Sequence, residues 1–411
     1  MVCISILISG CGAGANNVSA VGIPSPTPFQ PGGENYSDSL YVDSAPTPIS
    51  LPTVSLPTVA PTLVPDTPVV ETVQVEPTAV VPMVLNPLTG LPASDPSLLN
   101  RHPMAIKVTN FPRYARPQSG LSLADQVFEY YIEGGLTRFI AVFYGNDSEW
   151  VGPVRSGRFF DEHIARMYHA FLVFKFADKR VLDYLETTDI ANYLVVPTIG
   201  SCPPFHLMKS RDIEAYNNNY FNTLLWGDCV KSNGLPSDKP NLRLGPFSYD
   251  IPSVPTVEAY KVYTYYSEYS YNYWDYSPET GLYTRYQETN DTHNGKEESY
   301  ALMTDNVNGA PVQASNVVVL FAYHEFENTY QEEDEVYHID LTGSGDAYIF
   351  RDGVGITAKW VRLGSDQPLL FTTEYGVPIS LRPGVTFYEV IGTESYASQG
   401  DGEWFFHHET P

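Results

Sequence analysis

The chain has 411 residues and carries 23 Lys+Arg against 48 Asp+Glu, a formal net charge of −25. That balance argues against general affinity for nucleic acid, because neutralising phosphates takes an excess of Lys and Arg. The length fits about two globular domains plus extra segments, and 30 Tyr and 20 Phe supply well-packed cores despite 34 Pro.

The first residues, MVCISILISGC, form a short apolar run ending in Ile8-Ser9-Gly10-Cys11. The run is too short for a transmembrane helix and suits a signal-peptide core over residues 1–10, with Cys11 as the lipidated start of the mature chain. No Lys or Arg precedes it, which a start codon further upstream would repair. The expected location is the extracytoplasmic face of a bacterial cell membrane, held there by lipid. Cys3 leaves with the signal, so Cys202 and Cys229 remain as an even pair in an oxidising compartment. They form either a disulfide or two separate buried thiols.

Residues 12–84 hold no Lys, Arg or His, and SLPTVSLPTVAPTLVPDTP nearly repeats itself. Proline at this density removes amide donors and fixes φ, so neither helix nor central strand propagates. Residues 11–84 therefore read as a disordered tether, with a polyproline-like reach on the order of 200 Å at about 3.1 Å per residue.

Folded structure is expected from NPLTGLP (86–92). HPMAIKVTN (102–110) reads as a buried strand. In QVFEYYIEGGLTRFIAVFYG (126–145), a period of two on either side of Gly134-Gly135 predicts a β-hairpin. DEHIARMYHAF (161–171) has helical spacing, FLVFKF (171–176) reads as a strand and KRVLDYLETT (179–188) as a helix. A further helix is expected over 220–232, stopped by Gly234. Residues 85–240 thus predict a mixed α/β layer domain. From about residue 241 to 396, strand-like runs alternate with turn signals, so a β-rich second domain follows, and the whole is α+β. Alternating Tyr and Trp in YKVYTYYSEYSYNYWDY (260–276) read as one core or edge strand, although such rings also stack on sugars. QEEDE (331–335) reads as a solvated acidic loop rather than a calcium site, and residues 397–411 as a loose tail.

Positive charge is unevenly placed. Arg101 to Arg166 contain eight basic and seven acidic residues, and the other 345 residues contain 15 and 41. The candidate constellation in this region is Arg116, Gln118, Ser119, Asp125, Glu129, Glu133, Arg138, Arg155, Ser156 and Arg158. Strand geometry would place Glu129 and Glu133 on one face, with Arg138 opposing them across the turn. Arginine forks bind carboxylate or phosphate bidentately, and tight Gly/Pro turns in VGPVRSGR expose amides that hold anions. A purely structural Arg–Glu network uses the same residues. Nucleophile and metal patterns are absent: Ser156 lacks a GxSxG frame, His163 and His169 are not an HExxH pair, and His206 lacks further ligands at zinc spacing.

NPLTGLP, RPQSGLSLADQVFEYYIEGGLTRFIAVF and VGPVRSGR resemble the YerB-like family of bacterial lipoproteins. In the second half, ETGLYTRYQ, ASNVVVL, DLTGSGDAYIFRDGVGITAKW and YGVPISLRPGVTFYEVI resemble the same family's companion domain. The resemblance implies a surface lipoprotein of two modules without a settled activity. FKFADK (174–179), CPPFHLMKS (202–210) and DTHNGKEE (291–298) depart from the family pattern.

The expected function is that of a lipid-anchored envelope protein that binds a protein partner or an anionic cell-wall glycan through the Arg/carboxylate cluster, without a cofactor. The alternative is a cell-wall polymer phosphotransferase acting on a pyrophosphate-lipid substrate, similar at fold level to the LytR-CpsA-Psr enzymes, with Mg²⁺ held by carboxylates.

Overall fold

A computed structural model describes residues 83–197, 202, 204–243, 245–327 and 336–411. The signal peptide, Cys11, the tether as far as residue 82 and the acidic run 331–335 lie outside the described residues.

In the first half, β1 (Met104–Thr109) is buried throughout, and β2 (Gln126–Tyr131) and β3 (Thr137–Phe143) form the expected antiparallel hairpin around Gly134-Gly135. Helix α1 (Asp161–Met167) follows, then β4 (Phe171–Val173), helix α2 (Lys179–Thr187) and β5 (Leu194–Val195). The 220–232 segment differs from expectation in its first part. A short strand pair, β6 (Phe205–Leu207) and β7 (Asn219–Phe221), takes Tyr220 and Phe221, and helix α3 (Trp226–Asn233) begins only afterwards. Gly234 ends it at φ 60°, a left-handed cap.

The second half is built of strands. They are β8 (Val257–Glu258), β9 (Lys261–Tyr265), β10 (Tyr271–Ser277), β11 (Leu282–Glu288), β12 (Tyr300–Leu302) and β13 (Gln313–Ala314). There follow β14 (Asn316–Phe326), β15 (Tyr337–Asp340), β16 (Gly343–Arg351), β17 (Val354–Arg362), β18 (Leu370–Thr372) and β19 (Thr386–Gly392). The last two are β20 (Tyr396–Gly400) and β21 (Glu403–His407). The Tyr-rich stretch is therefore a hairpin, β9–β10, and not one strand.

Some of these strands share a sheet with the first half of the chain. Strand β19 pairs in parallel with β2, Thr386 beside Gln126 and Glu389 beside Glu129. One twelve-stranded sheet results, ordered β18-β17-β16-β14-β19-β2-β3-β1-β4-β5 with β15 and β8 at its margins. The described residues all fall in one compact unit. The α+β class stands, and a parallel pair joins distant segments of the two halves.

A seven-stranded sheet, β12-β11-β10-β9-β21-β20 with β13, covers one face of the large sheet, and α1 covers the other. Residues 397–411 are not a loose tail. Strand β21 lies parallel to β9 in the middle of the second sheet, with Trp404 and Phe406 buried. Their alternation with Phe405 and His407 is the period a half-buried strand requires. Among the described residues, no helix is long and apolar enough to cross a membrane.

Candidate functional site

The pleat divides the predicted constellation between two faces. Glu129 and Glu389 are register neighbours on β2 and β19, so both side chains leave the sheet on the side of the smaller sheet. There Arg285 of β11 meets both, with Nη1 2.7 Å from Glu389 Oε1 and Nη2 on Glu129 Oε2. Thr137 Oγ1 and Asn110 Nδ2 donate to Glu129, at 2.6 and 3.2 Å, and Trp274 Nε1 donates to Glu389 at 2.8 Å. Burial raises the Glu129 carboxyl above its ordinary range, Arg285 opposes this, and Glu389 adds to it. Arg116 belongs to the same sealed zone, donating to the Glu288 carboxylate at 2.5 Å and to its carbonyl at 2.7 Å.

Gln118, Ser119 and Asp125 are also internal. Gln118 Nε2 donates to Thr109 O at 3.3 Å, and Ser119 Oγ accepts from Asn306 at 3.2 Å. Asp125 accepts from the Tyr144 and Gly145 amides at 2.6 and 2.9 Å and from Asn86 at 2.8 Å, tying the NPLTG turn to the hairpin. Burial pushes its pKa up to about 6 against those bonds. Arg116, Gln118, Ser119, Asp125 and Glu129 therefore hold the fold, and the expectation that they line an open site is corrected. Nor do Glu129 and Glu133 project together: β2 ends at Tyr131, Glu133 opens the turn that Leu136 N closes on its carbonyl, and the two acids meet different arginines.

The other five residues gather where β1 and β4 part. These parallel neighbours are paired only as far as Ile106 and Val173. Residues 153–157 enter the gap beyond: Thr109 N donates to Pro153 O at 2.9 Å and Arg155 N to Lys107 O at 3.1 Å. On the other side, Lys175 N donates to Arg155 O at 3.0 Å and Gly157 N to Phe176 O at 2.6 Å. A crevice at the carboxyl ends of parallel strands is where α/β sheets commonly hold ligands.

Three guanidinium groups occupy it differently. Arg158 grips Glu133, with Nε 2.8 Å from Oε2 and Nη2 on Oε1. Arg138 Nη1 donates to Ser156 O at 2.9 Å, and its Nη2 stands 3.9 Å from Glu133. Arg155 lies 4.4 Å over the ring of Tyr216, and its buried Nε and Nη1 find no acceptor among the described residues. Lys175 Nζ sits 4.7 Å over the same ring and donates to Tyr216 O at 3.1 Å. Beneath them, Lys107 pairs with Asp161 at 2.9 Å and with the Tyr130 hydroxyl.

Cations outnumber their ion-paired carboxylates here, and the acid–base properties follow. Burial first, then Arg158 and Arg155, pull Arg138 down to about 9, against Glu133. Burial, with Arg138 and Arg158, lowers Lys107 to about 7, against Asp161. Around the guanidinium of Arg155, Tyr114, Phe176 and Tyr216 are each about half exposed, at 54%, 46% and 48%. Phe176 and Tyr216 are stacked at 5.9 Å, and Glu214 stands beside Tyr114 and Asn217. Such a surface binds an anion through the cations and a flat apolar ring face through the aromatics. Lys107, Lys175, Phe176, Tyr114 and Tyr216 were not read from the sequence. The available signal was FKFADK, which places a cation and a ring just past β4.

The remaining candidates resolve as structure. Cys202 and Cys229 are joined by a disulfide with Cα atoms 5.6 Å apart. His163 Nδ1 meets Arg362 at 3.1 Å, and His206 packs edge-on to Trp150 at 4.2 Å. On the outer face of the second sheet, Tyr286, Tyr273, Tyr263 and Phe405 form a ladder. Tyr273–Tyr286 and Tyr263–Phe405 lie 4.7 and 4.8 Å apart and nearly parallel, so the rings spend their faces on one another rather than on sugars. Among the described residues, no three His, Cys, Asp or Glu side chains are grouped to hold a metal ion. Glu129 and Glu133, the acids of the predicted constellation, are engaged by Arg285 and Arg158.

Comparison with known proteins gives a consistent frame. Residues 88–233 match the N-terminal domain of a protein family of unknown function, DUF3048, and residues 262–388 match its C-terminal domain. The chain is 26% identical over 334 residues to "Putative lipoprotein YerB" of Bacillus subtilis (strain 168), covering 77% of this chain and 89% of that one. It resembles the crystal structure of the YerB protein from Bacillus subtilis with a TM-score of 0.63 at 24% identity, over 75% of this chain and 96% of that one. With both domains matched in order along one chain, it belongs to the YerB-like family of DUF3048 proteins.

Proposed function

We propose that this chain is a lipid-anchored envelope protein that binds an anionic cell-wall glycan at the Arg155 surface, on the outer side of the cell membrane. The Ile8-Ser9-Gly10-Cys11 stretch and the lipoprotein name of the relative support the anchor. The observation that carries the binding is the Arg155 guanidinium, laid on half-exposed Tyr216 and paired with no carboxylate among the described residues, where cations are in excess. Carboxylate or phosphate groups of the polymer approach the guanidinium at Nη2, the nitrogen that is not buried, and its sugar rings lie on Tyr216 and Phe176. No comparable observation favours the phosphotransferase.

The test is co-sedimentation of the full chain, in detergent micelles, with isolated anionic wall polymer. A charge-assisted hydrogen bond contributes about 1.5–3 kcal/mol, so Arg155→Ala should weaken binding roughly 10- to 100-fold and leave the circular dichroism unchanged. Binding equal to that of the unsubstituted protein would remove the site. Retained binding to an envelope protein, but not to polymer, would replace the glycan by a protein partner.

A further inference from the structure

We propose a second binding site, for a small lipophilic anion, in the cavity that residues 241–243 and 245–247 close against the helix-bearing face of the large sheet. The cavity holds about 350 Å³, within the range of about 300–1,000 Å³ typical of small-molecule sites. It lies at the opposite end of β2 from the Arg155 surface: Gln126 lines it, whereas Tyr130, at the other end of the strand, bonds Lys107 and Asp161.

The lining dictates the ligand's two parts. Its floor is Tyr168, Tyr388, Phe371 and Leu381, all buried, and its walls include Leu242, Phe247 and Leu369. The Tyr168 hydroxyl is already committed to Gln126 Oε1, and Gln126 Nε2 donates to Leu88 O at 2.8 Å. With those polar groups satisfied, the interior rewards an apolar body. The mouth carries the charge. Arg243 is exposed there and pairs with no carboxylate among the described residues. Among the described residues the one carboxylate lining the cavity is Asp366, half exposed and 3.8 Å from Arg166, a guanidinium that also holds Glu162 and Asp189. His169, also at the mouth, adds no negative charge. An apolar interior behind an unpaired guanidinium selects a molecule with an apolar body and an anionic end.

Two fluorescent probes that differ by one sulfonate separate the parts: 1-anilinonaphthalene-8-sulfonate and the uncharged N-phenyl-1-naphthylamine. The full chain should bind the sulfonate about tenfold more tightly than the neutral probe, the scale of one charge-assisted contact. Arg243→Gln should abolish that difference and leave the neutral probe unaffected. Leu369→Trp and Leu242→Trp, which fill the cavity from opposite walls, should each abolish binding of both probes. If one of them fails to fold, by near-ultraviolet circular dichroism, the other decides. Arg155→Gln should change nothing, which keeps this site independent of the proposed glycan surface. Equal affinity for the two probes, indifference to Arg243→Gln, or binding that survives a folded Trp variant would each overturn the proposal.

Discussion

Two regions of this molecule are built from arginine and glutamate and do opposite things with them. Between the sheets, one guanidinium, Arg285, meets two carboxylates, and neighbouring donors satisfy the remaining lone pairs. At the ends of β1 and β4 the ratio is reversed: Arg138 and Arg158 share Glu133, and Arg155 has an aromatic ring for company. The first arrangement is sealed and its charges are paired, although Arg285 Nε finds no acceptor among the described residues. The second leaves binding capacity at a surface. What separates them is stoichiometry and the side of the pleat, so their mutational signatures should separate as well, one losing fold and the other losing only ligand.

The largest effect should come from breaking the sealed region. Arg285→Met leaves Glu129 and Glu389 buried side by side, and removing one partner of a buried ion network costs about 3–5 kcal/mol. Urea denaturation of the full chain measures it. Adding Glu129→Gln and Glu389→Gln should return much of the loss, because the uncompensated charges are then gone. A loss under about 1 kcal/mol for the single substitution would deny that this network ties the two sheets together.

Acid should act on two buried imidazoles of the same sealed zone, against the raised Glu129 carboxyl, which favours the folded state as pH falls. His324 and His408 lie there with ring centroids 5.2 Å apart, and His408 stacks on Tyr131 of β2 at 4.8 Å. Burial holds His324 at about 4 and His408 at about 3, below the ordinary 6.5. Because the unfolded chain takes up protons at these sites first, their contribution is intact above pH 6.5 and is lost as pH falls from 6.5 toward 4 and then 3. His324→Gln should recover on the order of 1–2 kcal/mol of that loss. Thermal melts at pH 7 and pH 4.5 check it, and equal pH sensitivity with and without the substitution would contradict it.

Much of this was legible in the sequence where the signal is local. The period of two around Gly134-Gly135 specifies the hairpin, and the left-handed Gly234 marks a helix end. What failed was non-local. Nothing near Val385 indicates that β19 will lie beside β2, so the sheet that the two halves share was not read from the sequence. Trp404 and Phe406 carried a strand's alternation, yet a position near the terminus made them look like a tail. In the site, the excess of arginine was visible and did bring Arg138, Arg155 and Arg158 together. The face that each acid takes was not visible, because Glu129 and Glu133 look equivalent until the strand is seen to end between them. Lys175 and Tyr216 reach Arg155 from separate segments, a convergence that spacing along the chain does not encode.

The smallest effect tests the open region alone. Tyr216 is half exposed and supplies one ring face beneath Arg155 and Lys175. An exposed cation–π contact contributes about 0.5–1 kcal/mol, so Tyr216→Ala should cost little stability and weaken polymer binding by only about three- to fivefold. Tyr216→Phe keeps the ring and should bind as the unsubstituted protein does, since it is the ring face rather than the hydroxyl that orients the guanidinium. A loss with Phe equal to that with Ala would move the ligand contact from the ring to the hydroxyl. If the Ala change instead lowered stability as much as Arg285→Met, the Arg155 surface would belong with the sealed network, and the contrast between the two regions would fail.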